Sequence, residues 1–536
     1  MTRTLARVLL LGHWLLAVAA PAHALQGGLR LLIEATPTGP RPLAVWPGAN
    51  LDGRAHPGTD VCLRGLAIDR CVPLQTLRHL APRFVGEPPV QAPSRKLAVL
   101  SLDPGQSAPF QSLRKDFSLR ASGLSSAWRD PAAPVAKGVL YPLHTGGTAA
   151  AAVDLVIVGD GFTALEEAAF VAYARAAAQD LLGQPPYAEH ATLFNVHALF
   201  VASAESGADH PARQHEVDTA FATTYGYAGI ERLAVADDAA VLVAVGAALP
   251  AFDLAVVLVN DGAYGGSGGP VPVASLHRNA IAILRHELGH NLAQLADEYT
   301  APYPGFPLGD AEPNVASAAH LTPLKWQAWV LPQTPVPTPP EHATGDHTPL
   351  GAYEGARYQA TGMFRPAPHC LMRSLDKAMC PVCAEALALA LAAATQTVRA
   401  SQPPGAEVSC QLPDCPTFSL TLAALPHLRV RWWRDGKLLA EGATFQPGAG
   451  HIGSYLLVAE VEDRTPTVRS DPQGVLRESR AWQVQVEPAH VPEVAPSPAG
   501  CGAGPGAGPD ATMAAALVLL AFAYRRRKPA RLQENP

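Results

Sequence analysis

The middle of the chain alternates between uniformly apolar runs and helix-like patterns. Residues 153–158 and 252–260 are rich in leucine, isoleucine, valine and alanine, which is typical of strands covered on both faces. A further strand is predicted at 194–202. Ahead of it, Thr163 and Glu166 form the capping box of a long helix. Strands that alternate with long helices predict an α/β domain.

Shorter strand-like segments flank this central domain. Residues 25–145 contain short apolar runs separated by proline and glycine, which predicts a β-rich accessory region. After about residue 400 the pattern is strand-like again, and it predicts a β-sandwich of immunoglobulin-like size over residues 401–490, a binding or spacer domain. Its predicted strands lie at 428–433, 454–460 and 481–486, with a turn at Asp435-Gly436.

Length and composition agree with a multidomain globular protein. A chain of 536 residues exceeds a single ordinary core, so we expect two to four domains, with the α/β domain at 146–400. The 52 prolines and 45 glycines indicate many turns and linkers. A formal charge of -6, with no dense stripe of lysine and arginine in the body of the chain, excludes nucleic acid as a partner.

The first 24 residues have the order of a cleaved signal peptide. Arg3 and Arg7 precede an apolar run at 8–20, and small residues flank His23 at its end. A buried N-terminal helix would not explain both the basic start and the small-residue end. We therefore expect the protein to be exported, and secreted or associated with the cell envelope or surface.

The C-terminal end also carries a targeting pattern. A linker rich in proline, glycine and alanine at 491–510 leads into a tail at 511–536, in which an apolar stretch at 511–524 is followed by four basic residues. The stretch is shorter than the ~20 residues of a comfortable membrane span, and the basic cluster would stay cytoplasmic. With Cys501, the tail resembles the C-terminal sorting tails of the myxobacterial type. We expect membrane association that is at least transient, through a sorting signal or a plain anchor.

Eight cysteines favour disulfides in an exported protein. The pairs Cys62/Cys71 and Cys410/Cys415 are close enough in sequence to close short loops. Cys380-Pro-Val-Cys383 is also a redox or zinc CxxC pattern, but no second CxxC accompanies it, which disfavours both roles. The candidates for disulfides are Cys62, Cys71, Cys370, Cys380, Cys383, Cys410 and Cys415.

The segment at 280–299, AIAILRHELGHNLAQLADEY, carries the candidate chemistry. On a helix, His286 and His290 lie one turn apart and can bind one metal ion, while Glu287 is placed to act as general base. The leucines fall on one stripe, which predicts a packed face, and the histidines lie opposite on a face open to metal and substrate. The alternative is two surface histidines beside a solvated glutamate.

A third metal ligand is harder to place. A catalytic zinc usually takes three protein ligands and leaves the fourth position to water. Asp297 would lie ~10 Å beyond His290 on a continuous helix, so the helix must end after about Asn291, although no glycine stands there. Glu298 is the alternative third ligand. Either carboxylate could instead bind calcium or cap the helix.

Several further segments resemble the IgA-peptidase family of zinc metallopeptidases. The resemblance covers about 250 residues, from 153 to about 400, and several separate motifs occur in order. They are VDLVIVGDGFT, LFNVHALFVASAESGADHP, VNDGAYGGSGG, HELGHNLAQLADEY, EPN at 312–314, KW at 325–326, YEGARY at 353–358 and CLMRSLDKAMCPVC at 370–383.

The resemblance implies a metzincin-like fold with one catalytic Zn²⁺. Met372 would then form the methionine turn beneath the metal, although an ordinary core methionine is the alternative. The family's carboxylate after the second histidine is carried here by the Asp297-Glu298-Tyr299 triplet. The spacing is one residue longer than in the commoner metzincin pattern, and this leaves both carboxylates open as the third ligand.

These observations predict an exported zinc endopeptidase that acts on protein or peptide substrates, with Glu287 as general base. Two alternatives stay open. Another zinc hydrolase, such as an aminopeptidase or amidase, would use the same His286 and His290 but would need a closed subsite for a terminal amine or a sugar. A surface binding protein with a vestigial metal site would have no need of Glu287.

Overall fold

The computed structural model describes residues 138–490 except 304–305 and 307–308, together with the backbone of six N-terminal strands. The predicted signal peptide, the linker and the C-terminal tail lie outside the described residues. The described helices and strands belong to the unit that ends at Ala489, and a separate unit begins at His490. The N-terminal strands are β1 (Leu29–Thr36), β2 (Gly39–Pro47), β3 (Asp60–Cys62), β4 (Cys71–Pro73), β5 (Gln75–Thr76) and β6 (Lys96–Leu102).

Antiparallel pairing organises these N-terminal strands. Four of them form a sheet in the order β2-β1-β6-β5, which agrees with the predicted β-rich region. The other two, β3 and β4, form a separate hairpin whose register sets Cys62 opposite Cys71.

A six-stranded sheet is the centre of the described chain. Its order is β11-β12-β10-β8-β9-β7, with β8, β9, β10 and β12 parallel and the edge strands β7 and β11 antiparallel. Strand β7 pairs with β9, so this segment, which the sequence assigned to the N-terminal region, lies in the central sheet. The strands are β7 (Val139–Thr145), β8 (Val153–Asp160), β9 (Phe194–Phe200), β10 (Leu254–Val259), β11 (Gly266–Ser267) and β12 (Val273–Ser275).

Both faces of this sheet are covered, as the uniformly apolar runs predicted. Leu155 and Ile157 point into a core formed with α1, α3 and α4, while Val156 and Val158 point into a second core formed with α2. The helices are α1 (Glu167–Gly183), α2 (Asp238–Ala248), α3 (Ala280–Ala293) and α4 (Pro381–Ala394). Within the described part of the chain, no helix is both long and apolar enough to cross a membrane.

The capping box at the start of the first helix is present. The backbone N–H and the hydroxyl of Thr163 both donate to the carboxylate of Glu166, at 2.8 Å. One 3₁₀ turn at Ala164–Glu166 then leads into α1. The Glu166 carboxylate thus satisfies the backbone N–H of the N-cap residue, as the spacing indicated.

A long irregular segment joins α3 to α4. It contains a small antiparallel sheet in the order β13-β15-β14, formed by Ala316–Ser317, Gln359–Arg365 and Tyr353–Ala356. A small apolar cluster that includes Ala296 and Met363 holds this sheet beside the end of α3. The segment therefore brings residues far along the chain next to the histidine-bearing helix.

Two further sheets follow α4 and share one apolar core. Trp432 and Trp482 are fully buried and stacked with ring centroids 5.8 Å apart. The predicted Asp435-Gly436 turn is confirmed, since both residues have positive φ and join two antiparallel strands. The first sheet consists of β16 (Val398–Gln402), β18 (Phe418–Leu422) and β21 (Thr444–Phe445); the second of β17 (Glu407–Gln411), β19 (Leu428–Arg434), β20 (Lys437–Glu441), β22 (Gly453–Asp463) and β23 (Arg477–Glu487).

This β region is tied to α4 by hydrogen bonds. The carboxylate of Glu385 on α4 accepts hydrogen bonds from the backbone N–H groups of Arg469 and Ser470 and from the indole of Trp329. The guanidinium of Arg469 also lies 4.1 Å from the centre of the Trp329 ring. Within the same β region, Cys410 and Cys415 are joined by a disulfide.

Candidate active site

Helix α3 carries the two histidines. His286 and His290 lie one turn apart, and their rings pack edge to face with centroids 4.7 Å apart. Leu284, Leu288 and Leu292 are buried on the stripe that the sequence predicted. The histidines are therefore carried on an element that the core holds in place.

The expectation that the histidine face stays open is wrong at one point. Gly289 and Ala293 are buried, and a Cβ atom at Gly289 would lie 3.0 Å from the Sδ atom of Met372. The missing side chain lets Met372, itself fully buried, pack directly on the helix between the two histidines. Only the part of the face around the imidazole nitrogens remains for a ligand.

The helix ends sharply enough to bring Asp297 back. It closes at Ala293, and Gln294 takes the left-handed conformation with φ 54°. The backbone N–H of Leu295 then donates to the carbonyl of Gly289, which reverses the chain direction. The break falls later than the expected position near Asn291, and it uses a residue with a side chain, at a cost of roughly 1–2 kcal/mol.

Three ligand atoms converge at the end of this reversal. Oδ1 of Asp297 lies 3.0 Å from Nε2 of His286 and 3.5 Å from Nε2 of His290, and the two Nε2 atoms are 3.1 Å apart. A tetrahedral zinc ion with ordinary bond lengths separates its ligand atoms by roughly 3.3 Å. The three residues therefore fit one zinc ion with a fourth position left over. Two nitrogens and one oxygen suit calcium poorly, because calcium prefers oxygen ligands.

The Nδ1 atoms of both histidines bind backbone carbonyls, which leaves the Nε2 atoms available to a metal ion. Nδ1 of His286 lies 3.1 Å from the carbonyl oxygen of Leu371, and Nδ1 of His290 lies 2.6 Å from that of Leu295. A carbonyl only accepts hydrogen bonds, so each Nδ1 carries the proton. The lone pairs of both Nε2 atoms then face the shared position, as in metal-bound histidines.

The carboxylate of Asp297 is held from its far side. The hydroxyl of Tyr358 donates a short hydrogen bond to Oδ2, which leaves Oδ1 toward the histidines. Arg357 and Tyr358 both have positive φ, and their backbone N–H groups donate to the carbonyls of Asp297 and Tyr299. A buried ion pair between Arg357 and Glu312, with 3.1 Å between nitrogen and oxygen, anchors this strained turn.

Glu298, the alternative third ligand, lies in a different group. Its Oε1 accepts a hydrogen bond from the amide of Asn314 at 2.9 Å and lies 3.3 Å from the Sγ of Cys383. The same asparagine brackets Ala296, whose N–H and carbonyl it binds at 2.7 and 2.9 Å. The structure thus brings Asp297, and not Glu298, to the two histidines.

Glu287 lies against the glycine-rich loop that follows β10. A Cβ atom at Gly268 would stand 2.2 Å from Oε2 of Glu287, so a side chain at this position would push the carboxylate out of its place. The amide of Asn291, one turn further along α3, donates to the carbonyl of Gly269 and fixes the loop on the helix. The loop therefore forms one wall beside the general-base candidate.

The charges at the site couple protonation of the two histidines to metal binding. Burial lowers the pKa of His290, but the carboxylates of Asp297 and Glu287 outweigh this and raise it to about 9. The pKa of His286 is also raised, because Asp297 outweighs burial. Burial raises the pKa of Asp297, yet the two imidazoles hold it well below its usual value. Protons therefore compete with a metal ion for the two histidines, and more so in acid.

A helix with two histidines one turn apart, a glutamate beside the first and a carboxylate folded back onto both is an arrangement of metal-dependent hydrolases. A family model described as IgA Peptidase M64 matches residues 141–348 and 340–391. Over this part the chain belongs to the IgA peptidase family, so it is a peptide hydrolase. The family resemblance seen in the sequence is thereby confirmed. Comparison with curated proteins gives no match.

Some residues of the site had no role in the sequence reasoning. Tyr358 and Asn314 lay within the quoted segments YEGARY and EPN, and their place in those segments was the only available signal. The prediction of disulfides at Cys370, Cys380 and Cys383 is corrected, because all three are buried free thiols. They are brought together with Glu298 instead.

We predict that Tyr358→Phe weakens zinc binding. The change removes the hydroxyl that holds Oδ2 of Asp297 and leaves the ring, so the dissociation constant for zinc should rise roughly 10- to 100-fold. Competition with a chromogenic chelator measures it. Tyr173→Phe, on a side chain that is 48% exposed, is the control and should leave the affinity unchanged. Equal affinities in both variants would contradict the role given to Tyr358.

We also predict that Gly268→Ala impairs catalysis without loss of metal. The added methyl group must displace the carboxylate of Glu287, and such a displacement should lower kcat/KM for a peptide substrate roughly 100-fold. Gly262→Ala in the same loop is the matched control, since its Cβ would meet nothing within 4 Å. Zinc content should be equal in the two variants. Full activity of Gly268→Ala would argue against this placement of Glu287.

Proposed function

We propose that this protein is an exported zinc-dependent endopeptidase. The observation that carries the proposal is the convergence of His286, His290 and Asp297, whose ligand atoms are spaced as a single zinc ion requires. Membership of a peptidase family supplies the reaction, hydrolysis of peptide bonds. The signal-peptide pattern of the first 24 residues supports export.

In this proposal His286, His290 and Asp297 hold the zinc ion. When bound, Zn²⁺ acts as a Lewis acid that acidifies water and polarises the scissile carbonyl. Glu287 takes the proton from the attacking water and passes it to the leaving amine. Met372, packed against Gly289, supports the histidine helix from below, in the manner of a metzincin methionine turn.

The regions around the peptidase domain have proposed roles as well. The two-sheet region after α4 serves as an immunoglobulin-like binding or spacer domain, which its buried tryptophan core supports. The C-terminal tail serves as a sorting signal or membrane anchor, on the evidence of its apolar stretch and basic cluster. A membrane anchor would keep the peptidase at the cell envelope, whereas a sorting signal would hold it there only for a time.

Cleavage of a denatured protein by purified residues 25–490 tests the proposal. Mass spectrometry of the products should show cuts at internal bonds, and these cuts should vanish with a zinc chelator. Glu287→Ala should lower kcat by at least roughly 100-fold, the usual contribution of a general base, and keep its zinc. Glu216→Ala, on an exposed glutamate, is the matched control and should retain full activity.

Three other results would redirect the proposal. Release of single residues from one end would favour an aminopeptidase. A zinc-loaded, folded protein that cleaves no denatured substrate would leave an amidase or a surface binding protein. Cleavage that survives both the chelator and Glu287→Ala would place the active site elsewhere.

A further inference from the structure

A second set of metal-ligand side chains lies outside the candidate active site. The carboxylate of Glu298 and the thiols of Cys370, Cys380 and Cys383 have donor atoms that all lie within 4.8 Å of one another. All four residues are fully buried. Acidic and thiol side chains are rarely assembled in a core without a partner, because burial of several ionisable groups is costly unless a charge or hydrogen bond compensates.

The local backbone presents these thiols to a common point. Cys380 stands at the N-cap position of α4 and Cys383 lies in its first turn, so the CxxC pattern places both thiols at the same end of the helix. The backbone N–H of Cys380 donates to Sγ of Cys370, at 3.2 Å. Such N–H to sulfur bonds, and the positive end of a helix, stabilise thiolates.

The distances fit a tetrahedral ion. The Sγ atoms of Cys370 and Cys383 are 3.7 Å apart, and Sγ of Cys383 is 3.3 Å from Oε1 of Glu298. Zinc with ordinary bond lengths separates two sulfur ligands by about 3.8 Å and a sulfur from an oxygen by about 3.5 Å.

A second observation points to a ligand at this position. Oε2 of Glu298 is buried and has no hydrogen-bond partner among the described residues. A buried carboxylate with an unpartnered oxygen is costly, and a cation held by the same carboxylate would offset that cost by neutralising its charge. A disulfide would not remove it, and with three thiols it would always leave one unpaired.

We propose that Glu298, Cys370, Cys380 and Cys383 bind a second, structural Zn²⁺. Four protein ligands leave no open position, which is the property of structural rather than catalytic zinc sites. Thiolate ligands favour zinc over magnesium or calcium. None of these four residues belongs to the group formed by His286, His290 and Asp297.

A metal ion at this site would help to position Asp297. Glu298 follows Asp297 directly, and its backbone N–H donates to the carbonyl of Met372 at 2.8 Å. Cys370 precedes Met372 by two residues. A metal ion that joins these segments to the start of α4 would therefore fix the returning chain that carries Asp297.

Metal content and cobalt spectra of the full-length protein, folded and kept under reducing conditions, test the proposal. The wild type should hold two zinc ions per chain, and Cys383→Ser should hold one. Replacement of zinc by Co²⁺ should give a thiolate-to-cobalt charge-transfer band, because the other site offers no sulfur. The double variant His286→Ala/His290→Ala should lose one ion and keep the band.

The controls and the contrary results of this experiment require no measurement of peptidase activity. Ala386→Ser, on the same helix but outside the cluster, should keep two ions and the band. If Cys383→Ser does not fold, the wild-type cobalt spectrum alone decides, because it requires no variant. The proposal is overturned by a cobalt spectrum without the band, by a zinc content that Cys383→Ser leaves unchanged, or by peptide mapping of protein isolated without reductant that finds two of the three thiols joined as a disulfide.

Discussion

A carboxylate folded back onto two imidazoles is the interaction on which the rest of the described structure depends. Asp297 reaches His286 and His290 only because the helix stops at Ala293 and the chain reverses through Gln294. That reversal is unfavourable in isolation, since Gln294 carries a side chain in a left-handed conformation. Asn314 and Tyr358 bind the returning segment from outside, so the surrounding fold stabilises a turn that the local sequence would not choose.

The central sheet explains why such a turn can persist. Its strands are covered on both faces, so the helix that carries the histidines rests on a core that cannot shift easily. The long segment between the third and fourth helices closes over the opposite side and delivers Met372 against Gly289. Rigid support on one side and a strained turn on the other together hold the ligand atoms within a few tenths of an ångström of a metal geometry.

Sequence reasoning reached the elements that local pattern determines. The apolar runs, the capping box at Thr163, the Asp435-Gly436 turn and the histidine helix all depend on neighbours within a few residues, and the structure contains each of them. The surroundings of Glu298 depend on residues many positions away, and so does the hydroxyl of Tyr358 that binds Asp297. The same holds for the first strand of the central sheet, whose antiparallel partner lies more than fifty residues later. Periodicity carries no information about such long-range pairings. A family resemblance identifies the segments involved but does not show how they contact one another.

Asp297 and Glu298 are neighbours in the chain, yet their side chains leave it in opposite directions, one toward two imidazoles and the other toward three thiols. An extended backbone alternates its side chains with a period of two. The number of residues in the segment after the helix therefore decides which side chain faces the imidazoles and which faces the thiols. Loss of one residue between Gln294 and Asp297 would bring Glu298 to the histidines and Tyr299 to the thiols, whereas gain of one would bring Ala296 to the histidines and Asp297 to the thiols. The residue count of this segment therefore matters to the site as much as the identity of its two carboxylates.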